Sequence, residues 1–241
     1  PVVVDEFQLK SRVSGVPGIK RESIFHALNQ KAVARRYAKS IGKKYEELNL
    51  IVVHLGGGIS VGAHRKGLVI DVNNALNGEG PISPERAGTV PSEALATLCF
   101  SGKYTLNEVK KMLHGKAGLA AYLGTSDMIT IEEKAIEGKE PYKTLVAAMD
   151  YTVAKEIGAM FVALKGQCDA IILTGGIAYS DYCVSDIKEQ IEYLCKVVVL
   201  PGENEMESLA ENAFGALTGE LPVLTYTGVS CAEEIPGMAE A

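Results

Sequence analysis

The stretch Leu50-Ile51-Val52-Val53-His54-Leu55-Gly56-Gly57-Gly58 decides how this chain is read. Leu50 to Val53 is an apolar run with the composition of a buried strand, and Ile59 to His64, beyond the glycines, is a second strand-like run. Three consecutive glycines between strands are unusual, because glycine loses the most entropy on ordering and gives a strand nothing to pack. They offer a tight turn with bare N–H groups, a concavity that suits an anion and phosphate above all. His54, at the strand end, stands at the rim of that turn. A plain glycine-rich hairpin is the competing interpretation of the same residues.

A third strand, Leu68 to Val72, follows the Arg65-Lys66-Gly67 turn and completes an antiparallel meander. From Asn73 to Pro91 the chain loses periodicity and is rich in Gly, Pro and Asn. A long loop inside a domain is functional or disordered in most cases. This one carries Arg86 among prolines and glycines, either as an anion clamp, since a guanidinium fork matches phosphate and carboxylate oxygens, or as an ordinary solvated arginine. Upstream, Ile24, Phe25, Leu28, Ala32, Val33, Tyr37 and Ile41 hold a 3.6 period and predict a helix over 22–41, with His26 in its first turn as a capping, surface or functional residue. Before it, loop-like residues 11–20 follow a strand Val2-Val3-Val4 that ends at Asp5. A chain that opens on Pro1 and runs straight into a buried strand is expected to lack its natural N-terminus, unless that strand is the edge of a processed protein.

Beyond the loop, helices are expected over 92–100, 105–113, 118–123, from a Ser126 or Asp127 cap to 136, and over 141–165. Ala170 to Leu173 is a strand running into Thr174-Gly175-Gly176-Ile177; such strand-to-glycine turns hold ligands in open α/β sheets. A helix over 181–194, a strand over 197–200, the Pro201-Gly202 turn and a helix through Leu217, capped by Asn204 or its neighbour, complete the order. Glu203, Glu205 and Glu207 crowd the start of that last helix, where the helix dipole alone favours carboxylates. The fold class is α/β: three antiparallel strands, then two strands on helical crossovers, in one mixed sheet with flanking helices.

The 241 residues, 47% apolar, suffice for one large core or two smaller ones. A net charge of -6 without a basic block argues against nucleic acid and anionic membranes as partners. Five scattered cysteines without a C-x-x-C pair fit a reducing cytoplasm better than disulfides or zinc. No apolar run approaches the roughly 20 residues of a membrane span. Gly58-Ile59-Ser60-Val61-Gly62 fits the G-x-S-x-G of serine hydrolases, but a nucleophile elbow needs strand, turn and helix, and here a strand continues.

Phe25-His26, His54-Leu55-Gly56-Gly57-Gly58, the Arg86 loop, Leu173-Thr174-Gly175-Gly176-Ile177 and the glutamate-rich helix start resemble, in order and approximate spacing, the acetate kinase family. Gly-Glu-Gly-Pro-Ile-Ser-Pro-Glu-Arg at 78–86 and Gly-Glu-Asn-Glu-Met-Glu at 202–207 are similar to its butyrate kinase branch. The resemblance implies the actin-like ATPase fold, two ribonuclease-H-like lobes with ATP in the cleft. Residues 1–20 would then be the end of the first lobe, 21–224 the nucleotide-binding lobe, whose 204–224 helix packs back on the first, and 225–241 a flexible tail. It implies reversible phosphoryl transfer between ATP and a short-chain carboxylate, giving ADP and an acyl phosphate, with Mg²⁺, in a cytoplasmic homo-oligomer. By the same resemblance Asp5, His26 and Arg86 are catalytic; His54, Leu55, Gly56, Gly57 and Gly58 line the ATP phosphates; and Gly175, Gly176, Ile177, Ala178 and Tyr179 form the adenosine loop, with Asp127 also near the nucleotide. Glu205 is the magnesium-associated carboxylate. Charge on the transferring phosphoryl would be met by Arg86, a protonated His26, Mg²⁺ and backbone N–H groups. The chain departs from the family in reading Ile177-Ala178-Tyr179-Ser180 in the adenosine loop and in lacking an arginine two residues after Asp127. A non-catalytic nucleotide-binding remnant is therefore the second expectation.

Overall fold

The computed structural model describes residues 7–203, 205–221 and 223, and of Glu205 and Ser208 only the backbone. The Val2–Val4 strand, Asp5, the Asn204 cap and the 225–241 tail lie outside the described residues. A short helix α1 (Leu9–Arg12) and α2 (Ala27–Ser40) precede the meander β1 (Asn49–Leu55), β2 (Ile59–Arg65) and β3 (Leu68–Val72). Then come α3 (Ser92–Cys99), α4 (Leu106–Leu113), α5 (Gly118–Leu123), α6 (Met128–Ile136) and the long α7 (Tyr142–Ala163). The chain closes with β4 (Ala170–Thr174), α8 (Asp181–Ile191), β5 (Val197–Val199) and α9 (Glu205–Thr218).

The five strands form one sheet in the order β3-β2-β1-β4-β5. β2 is antiparallel to both β1 and β3, whereas β4 is parallel to β1 and β5. This is the mixed sheet the strand order predicts. Both faces of its centre are covered, which is why β1 and β4 read as unbroken apolar runs. Ile51, Val53, Leu55, Val61, Ala63, Ile171 and Leu173 pack towards α5–α8 in the main core, while Leu50, Val52, Ala170 and Ile172 meet Val33, Ala34, Tyr37 and Ala38 of α2 on the other face. The two-residue period of a strand sends the even residues of β2 (Ser60, Gly62 and His64) to the α2 side. That side of β2 is polar or small, and α2 answers with the buried amides of Asn29 and Gln30.

α2 begins at Ala27 rather than at residue 22. Although Ile24 and Phe25 fit the helical period, the carbonyl of Ile24 accepts the Ala75 N–H at 2.8 Å and Phe25 packs on Phe7, Val69 and Val72. Contacts with the loop after β3 hold these residues out of the helix. Arg21 pins the same segment through ion pairs with Asp71 (3.3 Å) and Glu79 (3.2 Å).

Because β1, β4 and β5 are parallel, their carboxyl ends open on one edge of the sheet. Gly175, with φ +93°, exchanges N–H···O bonds with Gly202, and a Cβ on it would overlap the backbone of Leu55. Three strand ends are thereby drawn together. Gly175→Ala is expected to cost about 2 kcal/mol or more, since it combines a left-handed φ with a backbone clash. A urea midpoint lowered without a change in slope is the expected result, and an unchanged midpoint would contradict the close approach.

Candidate active site

The site is built at the β1–β2 hairpin. His54, the penultimate residue of β1, pairs across the ladder with Ser60 of β2. Gly56, Gly57 and Gly58 turn between them, and none of the three has a positive φ. Among the described residues, their N–H groups donate in no turn or loop hydrogen bond. The Gly57 carbonyl is used, however: it accepts the Ser83 hydroxyl at 2.7 Å and the Glu85 N–H at 3.1 Å. Those two bonds fasten the long loop onto the glycine turn. The Ser83 hydroxyl also takes the Arg86 N–H at 3.0 Å, and the Ser83 and Pro84 carbonyls accept the Leu119 and Ala120 N–H groups of α5. The loop is therefore ordered by backbone bonds on both sides.

Arg86 rides on that clamp. Its Nη1 lies 3.4 Å from the Glu85 carbonyl and 3.6 Å from the Glu85 carboxylate. Its Nε is buried without a partner among the described residues. A buried guanidinium N–H left unpaired costs free energy that an oxyanion would recover.

His26 sits at the N-cap position of α2 but caps nothing with its side chain. Its Nδ1 is 2.9 Å from the buried Ser60 hydroxyl, and its ring stacks on His54 with centroids 3.7 Å apart and planes 13° from parallel. The Cε1–Nε2 edge of the ring borders Gly58. Burial and the nearby Arg86 charge push His26 down to about 4, and burial with His26 beside it pushes His54 down to about 3. Near neutral pH both rings are uncharged. The sequence reading gives His26 a charge; in this structure its burial and the Arg86 charge favour the neutral ring, which offers an N–H dipole.

The other expected residues divide. His54, Leu55 and the three glycines occupy one turn with His26 and Arg86 beside it, and Gly175 adjoins Leu55. Gly176 is exposed, and Tyr179 is exposed on a 3-10 turn spanning Ile177–Tyr179. Ile177 and Ala178 put their side chains into the main core, so only their backbone is available to a ligand. Asp127 is the N-cap of α6: it accepts the Ile129 N–H at 3.2 Å and the Thr130 hydroxyl at 2.6 Å, which hold it below the ordinary carboxylate range. Its neighbour Ser126 donates to Glu85 at 3.1 Å, so this segment reaches the Arg86 clamp. Asp5 lies outside the described residues, as does the Glu205 side chain.

Four residues of the site were given no part in phosphoryl transfer by the sequence reading. Asn29 donates to the Glu203 carbonyl at 2.7 Å and its Oδ1 lies 3.0 Å from His54 Nδ1; Glu203 Oε1 is 3.6 Å from His54 Nε2. Gln30 donates to the Ser60 hydroxyl (2.8 Å) and carbonyl (3.1 Å). Ser60 is the fourth, read in the sequence only as a hydrolase motif. It is fully buried at the second position of β2, with strand and not helix following it, so the hydrolase reading fails. A fluorophosphonate probe is expected to leave Ser60 unlabelled; labelling there would contradict its burial.

For Mg²⁺, no three His, Cys, Asp or Glu side chains converge on a metal position among the described residues. That is compatible with a cation carried largely by nucleotide phosphates, which asks for only one or two protein carboxylates. The half-exposed Glu203 carboxylate at the site is one such group. No described helix is long and apolar enough to cross a membrane.

Comparison with known proteins follows the geometry. The family model described as the Acetokinase family matches residues 6–214. A probable butyrate kinase of Phocaeicola vulgatus is 70% identical over 94% of this chain and 64% of its own length. One of Bacteroides thetaiotaomicron is 55% identical over the same shares. The chain thus spans about two thirds of the length of these relatives. The acetate kinase of Porphyromonas gingivalis superposes with a TM-score of 0.76 at 21% identity, over 86% of this chain and 60% of that one. A propionate kinase of Francisella tularensis superposes with a TM-score of 0.74 at 20% identity, over 84% and 59%. These two share the actin-like ATPase fold, with its mixed sheet and flanking helices. A family match over most of the chain and two relatives far above 30% identity agree with the residues gathered at the glycine turn: this chain belongs to the acetokinase family.

Proposed function

We propose that the glycine turn and its surroundings form half of a phosphoryl-transfer site. There ATP and a short-chain carboxylate, butyrate or a branched acid, exchange phosphate to give ADP and an acyl phosphate. The observation that carries this reading is the juxtaposition of unpaired donors: the buried Arg86 Nε, the His26 ring and the free N–H groups of Gly56–Gly58. Phosphoryl transfer spreads negative charge over equatorial oxygens, and its catalysis is mainly positioning and fixed positive dipoles. A carboxylate acceptor is already ionised at neutral pH and needs no strong base.

In this reading Arg86 and His26 hold the transferring group and the turn His54–Gly58 lines the nucleotide phosphates. The adenosine passes over Gly175, Gly176 and the exposed Tyr179 ring, near Asp127. Asp5 orients the acceptor. Mg²⁺ when bound neutralises part of the phosphate charge, with Glu203 and Glu205 at the head of α9 as the carboxylates to hold it. Residues 1–20 belong to the end of a first lobe and 21–224 to the nucleotide lobe of a cytoplasmic homo-oligomer. The apolar residues exposed on the helices between 92 and 165, among them Phe100, Tyr122, Ile129 and Val162, offer the contact face.

The test is hydroxamate trapping of acyl phosphate with Mg²⁺–ATP and acids from acetate to valerate. It is run on this chain alone and on the chain extended by the first lobe of a butyrate kinase relative. The expected result is product from the extended protein, peaking at butyrate or a branched acid. Nucleotide binding without product in either would favour a non-catalytic remnant.

A further inference from the structure

Behind the glycine turn, two consecutive amides of α2 bear on the stacked histidines: Asn29 meets His54 directly, and Gln30 reaches His26 through the Ser60 hydroxyl. Gln30 donates one N–H to the Ser60 carbonyl at 3.1 Å. A carbonyl only accepts, so this bond fixes which end of the amide is nitrogen. The other N–H goes to the Ser60 hydroxyl at 2.8 Å, and Oε1 faces His64 Nε2 at 2.9 Å. His64 is wholly buried and pushed down to about 3, hence neutral, with a single N–H. That N–H must be on Nε2 to meet Gln30 Oε1, which leaves Nδ1 to accept from the Tyr45 hydroxyl at 2.6 Å. The Ser60 hydroxyl already accepts from Gln30 and is fully buried, and among the described residues its own proton has one acceptor in reach, His26 Nδ1 at 2.9 Å. The His26 proton is therefore on Nε2, at the edge that borders Gly58.

The same logic runs the other way at His54. Asn29 donates to the Glu203 carbonyl at 2.7 Å, so its Oδ1 faces His54 Nδ1 at 3.0 Å and must accept from it. The His54 proton is on Nδ1. Its Nε2 lone pair then faces the Glu203 carboxylate 3.6 Å away, an arrangement of two acceptors that welcomes a ligand donor or a hydrated cation between them. Gly62 makes room for this wiring, since a Cβ there would overlap Gln30 Oε1 and lie 3.1 Å from His64 Nε2.

We infer that Asn29 and Gln30 are positioning residues that set the stacked His54 and His26 in opposite tautomers, so that the ligand at the glycine turn meets an N–H donor from His26 and a lone pair from His54. The inference rests on the phosphoryl-transfer reading for its purpose but not for its geometry. A donor at His26 suits a phosphoryl oxygen, and the backbone carbonyls of Ser60 and Glu203 are the fixed points from which both proton positions follow.

The experiment is long-range ¹H–¹⁵N imidazole spectroscopy of the 241-residue chain near neutral pH, with the half-buried His114 as the fourth ring in the spectrum. Expected are Nε2–H for His26 and His64 and Nδ1–H for His54. Nδ1–H at His26, or Nε2–H at His54, in the unmodified chain would overturn the inference before any variant is made. Gln30→Glu replaces the donor by an acceptor of the same shape; the Ser60 hydroxyl must turn to it, and His26 is expected to switch to Nδ1–H while His54 stays. A native amide spectrum with His26 unchanged would overturn the role of Gln30. Gly62→Ala, which only displaces Gln30, is expected to leave His26 in a mixture of tautomers, and a single Nε2–H form there would count against the wiring. In the extended protein, Gln30→Glu is expected to lower kcat about a hundredfold with KM for ATP little changed. A switched tautomer with unchanged kcat would remove the catalytic purpose. No acyl phosphate from the unsubstituted extended protein would remove the kinase reading while the spectra still decide the tautomers.

Discussion

Arg86→Ala, made in the chain extended by the first lobe of a relative, is expected to lower acyl phosphate formation about a thousandfold. The loss falls on kcat, because the guanidinium is placed for charge that develops only as the phosphoryl group moves. The structure has already committed the backbone to this purpose: the Arg86 N–H goes to Ser83, the Ser83 hydroxyl to Gly57, and residues 83–84 to α5. What remains unspent is the buried Nε. Arg86→Lys is expected to recover little, since an ammonium lacks the planar fork and cannot reproduce an N–H at the Nε position. Initial rates with Mg²⁺–ATP and butyrate measure both variants. A loss smaller than tenfold in Arg86→Ala would move the centre of the site elsewhere.

Stability is expected to peak near pH 6.5 and to fall on both sides. On the acid side, His26 (about 4), His54 (about 3) and His64 (about 3) have folded values below the ordinary 6.5 of histidine. The unfolded chain therefore binds protons first as pH drops through 6.5, and stability present above that pH is lost below it. On the alkaline side, Asp150 of α7 is buried beside the Cys183 thiol, and burial with the nearby Asp186 charge raises it to about 8. A carboxyl raised in the fold stabilises least where the unfolded chain is ionised and the folded one resists, so stability declines as pH rises towards 8. Glu156, raised to about 6 by burial, opposes the histidines between pH 6 and 4.5, and Asp150 opposes them throughout the acid limb. With about 1.4 kcal/mol per unit of pH for each unmatched proton, the net loss is about 2 kcal/mol at pH 5 and less than about 1 kcal/mol at pH 8. Urea midpoints across pH measure this. Asp150→Asn is expected to remove the alkaline limb and to steepen the acid one; an alkaline limb unchanged in that variant would contradict the assignment.

The sheet is legible in the sequence because its strands carry their own period. Leu50–Val53 and Ala170–Leu173 are apolar on both faces, and three closely spaced strands followed by two on helical crossovers point to a mixed sheet. The glycine turn and Arg86 are legible because their residue types are costly unless used. The start of α2 is not, since Ile24 and Phe25 satisfy a helical period while a loop some 50 residues onward holds them. Asn29, Gln30 and Glu203 are not legible either. Each looks like an ordinary polar residue until the fold sets it against a histidine 25 or more residues away or a carbonyl across the sheet. One signal was present: Ser60, Gly62 and His64 place small or polar residues at every even position of β2, which announces a polar partner for that face.

The most direct test of the central claim is to follow the backbone amides of the ¹⁵N-labelled 241-residue chain while Mg²⁺–ATP is added to millimolar concentration. The site described here predicts shifts concentrated at Gly56–Gly58, Arg86, Gly175 and Gly176, with the His26 ring responding in the same titration. Shifts confined to residues away from the β1–β2 turn, or none at saturating nucleotide, would contradict it.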